Sequence, residues 1–98
     1  LIIDIINKGD TDDQGYDISE SAINNLGYRL IAVNNNYDAL RILKLNTEKY
    51  PNAFNTYDSY GEILLLTGDE ENAINAYKKS LELNPDNENA KKVLSKIS

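Results

Sequence analysis

Asp58 and Glu62 stand four residues apart, a spacing that puts two carboxylates on one face of a helix. Paired carboxylates can do general acid–base chemistry when burial or a neighbouring charge separates their pKa values. Nothing in the flanking residues suggests burial, so the pair reads as solvated acids. The chain has no Cys and no His. That removes disulfides, a thiol nucleophile, thiolate zinc sites and the usual general base and transition-metal ligand. No catalytic residue, cofactor or metal is therefore expected.

One other stretch could hold a metal. Asp10-x-Asp12-x-Gln14-Gly15 has alternating oxygen ligands and a turn glycine, like the opening of a calcium loop. Such a loop closes on a bidentate Glu at its twelfth position. Here that position is Ser21, with Glu20 one residue short, and Gln14 is a weak ligand. The stretch reads instead as a flexible acidic connector.

The elements that carry these residues emerge from hydrophobic spacing. The chain has 98 residues, 41% hydrophobic, with a net charge of −6, enough for one small domain with a modest core. The acidic balance opposes nucleic acid, which needs clustered Lys and Arg. No apolar run approaches the roughly 20 residues of a membrane span. The lack of any Met, the initiator included, suggests a fragment of a longer protein. Leu1–Lys8 is rich in Ile and fits either a buried strand or a helix end. The helical character of the residues after it favours a helical remnant. Its apolar surface must pack on the first repeat, lie under an upstream domain or pair with a second copy, a route to oligomerisation.

After the loop at 9–17, Ser19 is a candidate N-cap. Ala22, Ile23, Leu26, Gly27, Leu30 and Ile31 then keep helical spacing. Asn34-Asn35-Asn36 interrupts, and Ala39, Leu40, Leu43 and Tyr50 mark a second helix ending before Pro51. Asn52 is a candidate cap for a third, with Tyr57, Tyr60, Gly61, Leu64 and Leu65 on its face. Gly68 suits a left-handed helix end and Asp69 caps the next helix, which carries Ala73, Ile74, Tyr77 and Leu81. Pro85 ends it. A last helix begins near Asn87, with Ala90, Val93, Leu94 and Ile97 on one side and Lys91, Lys92, Ser95 and Lys96 on the other.

The pattern repeats itself in one register. Gly27 and Gly61, Ala39 and Ala73, Leu43 and Tyr77, and Pro51 and Pro85 are all separated by the same interval. This period of about 34 residues, built of helix–turn–helix units, resembles the tetratricopeptide repeat. The resemblance implies an all-α array of antiparallel helix-turn-helix repeats. Residues 1–19 would be a helical remnant and acidic loop, 20–53 a first repeat, 54–87 a second and 88–98 a capping helix. The glycines let the paired helices approach closely, and Leu43 and Tyr77 fill the space across from them. At another position where the family often has Ala, this chain has Asn46 and Ser80. Packing there is looser, or the side chains bond to backbone.

Carried over by position, a concave binding groove would show Asn24, Asn25 and Tyr28 from the first repeat. Asn55, Asp58, Ser59 and Glu62 would come from the second, and Asn89, Lys92 and Lys96 from the last helix. Asp58 and Glu62 would repel the peptide carboxylate that some family members clamp. The groove suits a basic or neutral polar segment, including one from another domain of the same polypeptide. The alternative is a merely solvated face. The implied function is a non-catalytic protein–protein or interdomain interaction module that binds a peptide or helix. A further resemblance, in YDISESAINNLGYRL and SLELNPDNENAKKVL, is to the tail of some bacterial serine hydrolases of the β-lactamase or penicillin-binding type. On that reading the chain is an accessory tail, and catalysis belongs to another domain.

Overall fold

The computed structural model describes residues 19–97. The segment Leu1–Lys8 and the loop Asp10–Gly15 lie outside the described residues, as do the remnant-helix, calcium-loop and oligomerisation expectations attached to them. The described chain is all helical: α1 (Glu20–Ala32), α2 (Asn36–Lys49), α3 (Phe54–Leu66), α4 (Glu70–Leu83) and α5 (Glu88–Ile97). Consecutive helices pack on one another, and α1 also touches α3.

The helix ends repeat at the same spacing as the helix faces. Ser19 caps α1 by accepting from the Ala22 N–H at 3.3 Å. The two α-hairpin turns have the same hydrogen-bond pattern. Asn34 (φ 63°) and Gly68 (φ 87°) are the left-handed residues that end α1 and α3. The Asn34 N–H donates to the Ile31 carbonyl and the Asn35 N–H to that of Leu30; Gly68 does the same to Leu65, and Asp69 to Leu64. These are Schellman closures. Asn35 then caps α2 through the Asp38 N–H, and its amide donates to the Asp38 carboxylate. Asp69 caps α4 through the Asn72 N–H and accepts from the Asn72 amide. The same acid–amide pair serves both turns with the roles exchanged. Asn36 thus opens α2 and does not belong to the break. At α3 the expectation fails: the cap is Ala53, without a side-chain hydrogen bond, and Asn52 lies outside it.

The small residues act as their spacing suggests. A Cβ on Gly27 would overlap the Leu43 side chain, and one on Gly61 would lie 2.6 Å from Tyr77 Cε2. Ala39, Leu43 and Ile63 form the core between the two hairpins, flanked by Leu30, Ile31, Leu40 and Tyr60. Ile63, fully buried, is a core residue that the repeat pattern does not single out. Leu64, Ala73 and Ala76 make the next cluster, which Ile97 of α5 joins. On α5, Ala90 is buried and Val93, Leu94 and Ile97 are half-buried, while Lys91, Lys92, Ser95 and Lys96 are exposed.

The two unusual small positions both bond to backbone. The Asn46 amide donates to the Glu20 carbonyl at 3.1 Å, and the Ser80 hydroxyl donates to the Phe54 carbonyl at 3.0 Å. Each ties the far part of a hairpin's second helix to the first residue of its first helix. Both side chains are fully buried, where an unpaired polar group would cost about 1–3 kcal/mol.

Candidate functional site

The first helices of the two hairpins, α1 and α3, meet through polar side chains. The Tyr28 hydroxyl of α1 donates to Glu62 Oε1 of α3 at 2.9 Å. The Asn55 amide of α3 donates to Glu20 Oε2 at 3.3 Å. Ser59 lies beside the Tyr28 phenol. Burial raises the Tyr28 pKa, and the Glu62 and Asp58 charges add to the rise while Ser59 opposes it. Burial also raises that of Tyr77, with Glu62, Asp58 and Tyr28 adding to it. Both phenols are therefore neutral at ordinary pH, and that of Tyr28 is the donor to Glu62.

Asp58 is not a freely solvated acid. The Asn87 side-chain amide donates to both its carboxylate oxygens, at 3.0 and 2.9 Å, and to Ser80 Oγ at 2.9 Å. Asn87 Oδ1 accepts from the Ala90 N–H at 3.3 Å. One buried carboxamide thus caps α5 and fastens it to α3 and α4. Ser80 accepts from Asn87 and passes its own hydrogen to the Phe54 carbonyl, so both valences are used.

The sequence-derived groove residues divide into four sets. Tyr28, Asp58, Ser59 and Glu62 come together. Asn55 is joined to Glu20, a residue that repeat position alone does not assign to the groove. Asn25, Asn89, Lys92 and Lys96 are exposed on their helices. Ser59 is buried, 1% exposed, so it supports the face from beneath. Asn24 is half-buried, with its Oδ1 shielded from solvent and without a hydrogen-bond partner among the described residues. Asn87 is hidden in the sequence because its counterpart one repeat earlier is Ala53, which leaves no repeated signal at that position. The available signal is its place just before the last helix, where Asn is a favoured cap.

Acid–base chemistry finds little here. Glu62 is exposed and bonded to a phenol, and Asp58 is held by an amide, so neither is set against the other as a proton donor and acceptor pair. Among the described residues no group of three or more Asp or Glu side chains could hold a metal ion. None of the described helices is long and apolar enough to cross a membrane.

The α3–α4 hairpin and its following turn coincide with a family match. Residues 54–87 match the tetratricopeptide repeat family. The glycine, alanine and tyrosine contacts of α3 and α4 are how this stretch meets the repeat's packing. No curated protein matches the chain. The hydrolase-tail resemblance finds no support in these comparisons.

Proposed function

We infer that the chain is a non-catalytic protein–protein or interdomain interaction module, with 20–53 acting as a further tetratricopeptide repeat beside the matched one. The partner is a peptide or helix laid along the face of α1, α3 and α5. The observation that carries this reading is the direct hydrogen bond from Tyr28 to Glu62. On this reading the bond joins the first helices of the two hairpins into one polar face, with Asn24, Asn25 and Tyr28 on one side and Asn55, Asp58 and Glu62 on the other. Asn89, Lys92 and Lys96 extend the set onto α5. Glu20, Asp58 and Glu62 make the middle acidic, so a basic or neutral polar segment suits it better than a peptide carboxylate.

The test is an amide-shift titration of the isotope-labelled chain with two soluble peptides, one Lys-rich and one Glu-rich. The Lys-rich peptide is expected to move the amides of Tyr28, Asn55 and Glu62, and Glu62→Lys to abolish the shifts. Shifts confined to the outer faces of α2 and α4, or no shifts with the Lys-rich peptide, would refute an acidic groove. Glu62 is the position to change, because Asp58→Lys would also break the Asn87 link that holds α5.

A further inference from the structure

Two side-chain oxygens in the first hairpin, Asn24 Oδ1 and Asn46 Oδ1, are buried and have no hydrogen-bond partner among the described residues. Asn46 is fully buried, and its amide nitrogen already donates to the Glu20 carbonyl. The equivalent positions one repeat later are Asp58 and Ser80. Those two oxygen-bearing side chains converge on one donor, the Asn87 amide. The equivalence is close in detail. Ser80 donates to the first carbonyl of α3 and turns its accepting valence to Asn87. Asn46 donates to the first carbonyl of α1, which leaves its Oδ1 to play the accepting part.

The position one repeat before Asn87 is Ala53, which caps α3 without a side-chain hydrogen bond. Its methyl group carries no donor and is smaller than the Asn87 carboxamide that stands at the start of α5. A carboxamide exceeds a hydrogen atom by about the size of one water molecule, and a buried water is held by two to four polar partners.

We propose that Asn24 and Asn46 form a buried water site beside Ala53, in which one water donates a hydrogen to each Oδ1 and so supplies the donor that the Asn87 amide supplies to Asp58 and Ser80 one repeat later. The site does not depend on any partner of the protein. It ties α1 to α2 through a water, where α3 and α4 are tied to each other through the Asn87 side chain.

Two measurements on the full chain test this together. Ala53→Asn supplies a cap and a donor, whereas Ala53→Asp supplies an equally good cap and no donor. The site requires Ala53→Asn to melt higher than both the parent and Ala53→Asp, although the helix dipole favours the aspartate. An aspartate variant as stable as the asparagine one would overturn the proposal. A high-resolution crystal structure of the parent should show an ordered water within hydrogen-bonding distance of both oxygens, displaced in Ala53→Asn. Direct pairing of the Asn24 and Asn46 amides, with no water between them, would overturn it equally.

Discussion

Tyr77 shows how one side chain can serve packing and charge at once. Its ring fills the space that Gly61 leaves, and it is 2% exposed. Its phenol feels burial first and then the negative field of Glu62 and Asp58. Both effects favour the neutral form, so the folded pKa lies above the unfolded value of about 10. A raised folded pKa means stability that is fully present below about pH 10 and is lost as pH rises toward the folded value. Tyr28 contributes in the same direction. The urea midpoint of the parent is therefore expected to fall on going from about pH 9 to about pH 11. Tyr77→Phe should flatten that fall while changing the neutral-pH midpoint little, since no hydrogen bond to the Tyr77 hydroxyl occurs among the described residues. Parallel curves for the parent and the variant would mean that this phenol is not the source of the alkaline loss. The large-to-small logic at this position is legible in the sequence, because Leu43 and Tyr77 recur opposite Gly27 and Gly61. The electrostatic part is not, because Asp58, Glu62 and Tyr28 reach Tyr77 only once the hairpins have folded.

At the scale of the element, the hairpin turns are the most legible features and α3 the least. Gly68 announces a left-handed helix end, and Asp69 a cap. Asn34 does the same work less visibly, because Asn tolerates positive φ without requiring it. Its equivalence to Gly68 gives a prediction. Asn34→Gly should be nearly neutral, since relief of left-handed strain offsets the roughly 0.5–1 kcal/mol of added unfolded-chain entropy. Asn34→Ala should lose about 1 kcal/mol or more, since a Cβ without a local polar side chain disfavours that conformation. Thermal melts of the two variants check the ordering, and an alanine variant as stable as the glycine one would show that the turn does not need the left-handed residue. The start of α3 misleads in the sequence because Asn52 is a good capping type one residue too early. The carbonyl of Ala53 accepts from both the Thr56 N–H and its hydroxyl. That local closure lets the helix start without a side-chain cap.

Across the whole molecule the repeat period conveys the architecture because it is written in sterics. Gly, Ala and a large partner must recur wherever two helices are to meet at the same distance. The polar links between one unit and the next are unequal, so no period reveals them. Tyr28 to Glu62 joins the hairpins across the first helices, and Asn87 joins the last helix to the hairpin before it. Asn87 also carries the larger share of work for one residue: a cap, two bonds to Asp58 and one to Ser80. The apolar anchoring of α5 is slight by comparison, with Ala90 buried and Ile97 reaching the Leu64 cluster. Loss of the cap alone is worth about 1 kcal/mol, and a buried acceptor left without its donor about 1–3 kcal/mol more. Asn87→Ala should therefore release α5 before the rest unfolds. In hydrogen exchange the amides of Val93, Leu94 and Ile97 are expected to lose protection by about tenfold or more, as roughly 1.4 kcal/mol per decade requires. Those of Ile42 and Leu43 should change far less, because their clusters do not include α5. A uniform loss across α2 and α5 would instead mean that the described helices unfold as one unit, with Asn87 stabilising all of them equally.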